Sequence, residues 1–171
     1  ITTSDIDELY QSIHHSLRPI IDTTNFFIAL YHSSDDSVTF PYCIDSVDAC
    51  YPPVIEVSKT ESLTAEVIRT GRPLLIGKSD IVRRRMNSCH RVPDCTPAAI
   101  WLGAPLKTSD AIIGVMAVQS YTDPNQYDAT DMDVLAAVAD QVAMAIERKR
   151  NEKALLESEA RLKALSAASF E

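Results

Sequence analysis

Apolar residues recur along this chain in different rhythms, and each rhythm predicts an element. Over residues 4–21, Ile6, Leu9, Tyr10, Ile13, Leu17 and Ile20 fall at helical spacing behind a Ser4 cap, with Asp5 and Asp7 in the first turn. This predicts an amphipathic helix ending near Pro19. Residues 25–31 form a short apolar run, and Ser33-Ser34-Asp35-Asp36-Ser37 carries the turn chemistry for a hairpin into a second strand over 38–44. After a polar, proline-bearing stretch, residues 54–57 read as a short extended piece. Helical spacing returns over 61–70 and is stopped by Gly71, with Pro73 beyond it. Residues 74–76 predict a strand, and 77–97 a long connection containing a short helix, the kind of segment on which binding sites tend to lie. Two apolar strands follow over 100–106 and 112–120.

The last helix opens at Asp128-Ala129-Thr130-Asp131 and presents Leu135, Val138, Ala139, Val142 and Ile146 as one stripe. Residues 147–153 are then almost wholly charged, and apolar residues return at Leu155, Leu156, Leu162 and Leu165. A helix patterned in this way leaves its own domain and finds a partner outside it, which predicts a parallel coiled coil in a homodimer. The expected interface residues are Leu9, Ile13, Leu135, Val138, Val142, Leu155 and Leu162. The chain therefore divides into a domain over 1–147 and a coiled-coil helix over 148–171.

Composition narrows this picture. With 171 residues and 46% hydrophobic content, the chain suits one core plus an appendage. A formal charge of −8 disfavours a nucleic-acid surface, which needs a basic stripe. The basic clusters Arg83-Arg84-Arg85 and Arg148-Lys149-Arg150 are short and read as solvated surface. No stretch approaches the length of a membrane span and the N-terminus lacks a signal pattern, so a cytoplasmic location is expected. Cys43, Cys50, Cys89 and Cys95 contain no CxxC pair and are expected to be free thiols without a zinc site.

The order Ile100-Trp101-Leu102-Gly103-Ala104-Pro105-Leu106, a polar hairpin, Ile113-Gly114-Val115 and a helix through Gln141-Val142-Ala143 resembles the C-terminal half of a GAF domain. The resemblance implies an α+β fold: a central antiparallel sheet of five or six strands, the first and last helices on one face, and a ligand pocket on the other. Residues 154–165 further resemble the helix that introduces a PAS domain in sensor kinases. The implied function is a sensory input domain of a signalling protein, a histidine kinase being the expected whole. It would bind a small ligand and report through the helix to downstream PAS and output domains. The expected ligand contacts are Cys89, His90, Trp101, Thr64 and Tyr42. Trp101 either caps the pocket or packs in the core.

Three chemistries within that family bear on the pocket. Cys89-His90 resembles the pair that attaches a linear tetrapyrrole in phytochrome-like members, but Ile113 and Gln119 stand where those relatives often carry Trp and His. Free methionine sulfoxide reductases use pocket thiols. Cys95 and Cys50 sit near two of their three positions, and Ser62 stands at the third. Haem or a metal would need His90 with Cys89 and Cys95, while His14, His15 and His32 lie elsewhere. The expectation is therefore no metal, no assured cofactor and no catalytic activity in this chain, with the reductase and bilin readings as alternatives.

Overall fold

The computed structural model describes residues 4–87 and 95–169. Its elements are α1 (Ser4–Leu17), β1 (Phe26–His32), β2 (Ser37–Ile44), a 3-10 turn at Val57–Lys59, α2 (Leu63–Thr70), β3 (Leu74–Gly77), α3 (Lys78–Asn87), β4 (Ile100–Lys107), β5 (Ile112–Ser120) and α4 (Ala129–Ala168). The five strands form one antiparallel sheet in the order β2-β1-β5-β4-β3.

Alternation along the strands divides the apolar side chains between two cores. Phe26, Ile28, Leu102, Leu106, Met116 and Val118 face α1 and α4, where Tyr10, Leu17, Leu135, Ala139, Val142 and Ile146 close over them. Phe27, Ala29, Trp101, Val115 and Ala117 face the opposite side, under Val57, Ala65, Val67 and Ile81. The α+β architecture expected from the sequence is the one observed, with the first and last helices sharing one face.

Local chemistry fixes the helix ends. Pro19 keeps the preceding residue out of helical geometry, so α1 stops at Leu17 and the chain turns through bonds from the Ile20 and Ile21 amides to the Leu17 carbonyl. Gly71 ends α2 in the left-handed region at φ 60°. Asp128 and Asp131 form a reciprocal capping box that starts α4. The piece expected to be extended near 54–57 is shorter than predicted. Val54 makes a lone bridge to Val38, and Glu56, at φ 53°, swings the chain into the 3-10 turn.

Two expectations are corrected by this architecture. Leu135 and Val142 were assigned to a dimer interface, but both are buried against their own sheet, and Leu9, Ile13 and Val138 are half-buried around the same core. Of the expected interface residues, Leu155 and Leu162 lie exposed. Tyr42, expected in the pocket, faces α1 instead. Its hydroxyl shares a 2.9 Å hydrogen bond with His14 Nδ1, and its ring packs edge-on to Phe26. The cause is a β-bulge. Ile28 pairs with Tyr42 but Leu30 pairs with Thr39, so Phe40 and Pro41 together oppose one residue of β1. Beyond the bulge every β2 side chain changes face.

Candidate functional site

The sheet face away from α1 and α4 carries an open cavity of about 410 Å³. Phe27, Trp101 and Gln119 form its floor. Phe40 and the strap after β2, including Tyr51, Pro52 and Val54, make one wall. The start of α2 supplies Ser62, Leu63 and Thr64, and α3 with the segment that follows supplies Ile81, Arg85, Cys95 and Thr96.

Each element holds its side chain in place for a local reason. Ser62, which occupies the third cysteine position of the reductase pattern, caps α2 by accepting a 3.1 Å bond from the Ala65 amide. Trp101 lies down over Gly103, where a Cβ would come within 2.1 Å of its indole, so the glycine makes room for the floor. Phe27, Phe40 and Tyr51 form a triangle with ring centroids 5.2–5.7 Å apart.

Two carboxylates latch the first half of the strap, and the Val38–Val54 backbone bridge holds its far end. Asp45 accepts bonds from Gln119 Nε2 at 2.7 Å and from the Tyr121 hydroxyl at 2.8 Å. Asp48 accepts from the Thr96 amide and hydroxyl at 2.7 and 2.8 Å. Gln119 Nε2 also donates to the Tyr51 hydroxyl at 3.1 Å. Burial pushes the Tyr51 phenol up to about 12, opposed by the Gln119 bond and assisted by the nearby Asp45 charge. Burial raises Tyr121 as well, and the Asp45 carboxylate beside it adds to the effect.

The run Arg83-Arg84-Arg85 separates into three roles, because successive residues of a helix point in different directions. Arg83 pairs with Asp80 at 2.7 Å in solvent, and Arg84 crosses to Glu66 of α2. Arg85 is half-buried at the cavity, donating to the Cys95 carbonyl at 2.5 Å and to Cys95 Sγ at 2.9 Å. The solvated-surface reading therefore fails for Arg85. The readable signal was its position four residues after Ile81, which shares its helix face and is buried.

Of the expected contacts, Trp101 and Thr64 line the cavity and Tyr42 does not. Cys89 and His90 lie outside the described residues. Sequence reasoning missed Phe27, Phe40, Tyr51, Arg85 and Gln119 as cavity residues. Cys50, grouped with Cys95 in the reductase reading, turns to Cys43 and donates from Sγ to its carbonyl at 3.2 Å. The three described cysteines are free thiols. His14 and His32 serve structure: His14 stacks on Phe26 and bonds Thr23, and His32 bonds Thr39. No group of metal-ligating side chains occurs among the described residues.

Burial, followed by the neighbouring Cys50, pushes the Cys43 thiol up to about 12. Since the thiolate is the nucleophile, maleimide at neutral pH should modify the exposed Cys50 readily and Cys43 far more slowly, as read by peptide mass mapping. Equal rates would show that Cys43 is not held in this protected position.

The model of the GAF domain family matches residues 3–147. The chain belongs to the GAF domain family. Its fold is similar to residues 122–287 of a methyl-accepting chemotaxis protein, at TM-score 0.67 and 18% identity over 84% of this chain and 89% of that one. It is also similar to the GAF domain of a two-component sensor histidine kinase from Bacillus halodurans, at TM-score 0.64 and 10% identity over 86% and 97%. A free methionine-R-sulfoxide reductase from Neisseria meningitidis, solved with its substrate, gives TM-score 0.58 and 15% identity over 75% and 70%. At these identities the likeness is one of fold. No curated protein matches the chain.

Proposed function

We propose that this GAF domain is the sensory input of a cytoplasmic signal-transduction protein, a histidine kinase fitting best, that binds a small ligand in the cavity and relays its presence through a dimeric α4. The observation that carries the reading is the pairing of an open cavity on one sheet face with a 40-residue helix packed on the other. A ligand pressing on Phe27 or Trp101 acts on the same strands that hold Leu135 and Ile146 from behind. Differential binding to two packings of α4 would turn occupancy into a signal. The kinase and chemotaxis origins of the similar structures support this setting.

Beyond Ile146 the helix exposes Leu155, Leu156, Leu162 and Leu165, each 50–64% accessible. Burying such a leucine against a second copy is worth roughly 1.5–3 kcal/mol. Downstream PAS and output domains would receive the helix. No helix among the described residues is long and apolar enough to cross a membrane. In this reading the chain turns over no substrate. The reductase alternative needs Cys95 to work with Cys50, and Cys50 is engaged with Cys43.

Native mass spectrometry of protein from its own host tests both halves at once. The expected result is a dimer that carries a small-molecule mass lost on unfolding. A monomer at high micromolar concentration would sink the relay, and an empty cavity that no metabolite extract stabilises would sink the ligand reading. A covalent tetrapyrrole would favour the bilin alternative through Cys89-His90.

A further inference from the structure

We propose that the cavity takes a planar aromatic carboxylate of one or two rings, held by stacking on the aromatic floor and wall and by pairing with Arg85. The inference rests on the ligand-binding reading above and names the chemistry of that ligand.

Three observations converge on it. The triangle of Phe27, Phe40 and Tyr51 offers edges and faces at tilted and near-perpendicular angles of 57–77°, an arrangement that accepts a further ring by the same quadrupole preference. Trp101, laid over Gly103 and 4% exposed, meets the cavity along an edge of its floor. Arg85 is the one charged side chain among the described residues that line the cavity.

A half-buried guanidinium that is the one charge of the described lining selects for a single negative charge. Its planar fork matches a carboxylate, and its bonds to the Cys95 carbonyl and thiol fix it in place with two of its five N–H donors. Asp45 and Asp48 are not among the described residues that line the cavity, and their oxygens accept bonds from Gln119, Tyr121 and Thr96 outside it. A dianionic phosphate would bring a second charge for which the described lining holds no further cation. A saturated acid would leave the aromatic surfaces without a partner ring. A volume of about 410 Å³ admits a one- or two-ring acid with room to spare.

The chain contains one tryptophan, Trp101, beside six tyrosines, so emission excited selectively at the indole reports on the cavity floor. Calorimetric titration at pH 7.5 would use trans-cinnamate and 2-naphthoate, with cinnamamide, cyclohexanecarboxylate and cyclic GMP as comparators. Trp101 emission would be followed in parallel. The two aromatic acids should bind, and cinnamate should bind roughly ten- to a hundredfold more tightly than its amide, the range of a charge-assisted hydrogen bond. Arg85→Gln should erase that difference, and Arg85→Lys should restore part of it. The cinnamate-to-amide comparison in the unaltered protein stands even if Arg85→Gln fails to fold.

Equal affinity for cinnamate and its amide would overturn the pairing with Arg85. Equal affinity for cyclohexanecarboxylate and cinnamate would overturn the aromatic requirement, and tight cyclic GMP binding without the acids would overturn both. In each of these outcomes the cavity still binds, and the sensory reading survives. If no probe gives heat or moves Trp101 emission, this proposal is overturned, and a folded protein that no metabolite extract stabilises either removes the ligand reading beneath it.

Discussion

Replacing Gly114 with alanine should cost about 3 kcal/mol of stability or more, at the upper end of core overpacking, and lower the melting temperature by roughly 6–12 °C. Gly114 sits in β5 opposite Leu30 of β1 and Leu106 of β4, in the buried centre of the sheet. A Cβ there would lie 2.0 Å from the Ala29 carbonyl oxygen and 3.1 Å from the Leu30 Cα. These are backbone atoms of a paired strand, so they can move only if the β1–β5 ladder opens. Gly103 makes a useful contrast. The atoms its Cβ would meet belong to the Trp101 side chain, which can swing away. Gly103→Ala should therefore lose less stability while shifting Trp101 emission to the red as the indole leaves the floor. Urea unfolding of both variants measures the difference, and a Gly114→Ala protein within 1 kcal/mol of the parent would show that β1 and β5 do not approach so closely.

Stability should also collapse on the alkaline side. In the unfolded chain the Cys43 thiol ionises near 9.0 and the tyrosines near 10.0, whereas in the fold Cys43 and Tyr51 are each pushed up to about 12, chiefly by burial. Burial likewise raises Tyr121 and Tyr127. Above the unfolded values, the unfolded chain has released protons that the folded chain keeps. It therefore binds fewer protons, and raising the pH favours unfolding. The stabilisation is whole below pH 9 and is lost as pH climbs toward the folded values near 12. Each group acting in full contributes a slope of about 1.4 kcal/mol per pH unit, reduced by solvent screening for the partly exposed ones. Urea midpoints at pH 8, 10 and 11 should fall in step, with the full phenolate absorbance of the six tyrosines reached only as the protein unfolds. Full phenolate absorbance at pH 11 in still-folded protein would show the Tyr51, Tyr121 and Tyr127 hydroxyls to be unprotected.

The fold was largely legible because its elements carry their signals locally. Gly71 and Pro73 stop α2, Asp128 and Asp131 start α4, and the acidic turn at 33–37 makes the first hairpin. The site was less so, because its determinants are non-local. The resemblance implies a pocket contact at Tyr42, and only the pairing of β2 with β1 reveals the bulge at Phe40-Pro41 that turns it away. Proline inside an apolar strand was the available hint, since it is confined to edges and bulges. Arg85 was absorbed into a basic run whose members part company once α3 forms. Tyr51 sits in a strap with no periodicity of its own, brought to the cavity by Asp45 and Asp48 reaching residues more than 45 positions away. The stripe Leu135, Val138, Ala139, Val142 and Ile146 reads as cover for the domain and packs on the sheet as such, which leaves Leu135 and Val142 unable to serve the dimer interface as well.

The two halves of α4 differ in what restrains them. Up to Ile146 the helix is bolted to the sheet, and from Asn151 onward every described residue is exposed. The protruding part, about 22 residues from Glu147 to Ala168, is about 33 Å long at 1.5 Å per residue. In the proposed relay it would be the long arm of a lever whose fulcrum is the last buried turn. A tilt of about 5° at that fulcrum sweeps the far end through about 3 Å over that length. Near the fulcrum, Lys149 bonds Asp5 of α1 at 2.9 Å, so the N-terminal helix touches the base of the long arm. Mechanical gain of this kind lets a sub-ångström adjustment of the sheet arrive at the end of the helix as a displacement comparable to a hydrogen-bond length.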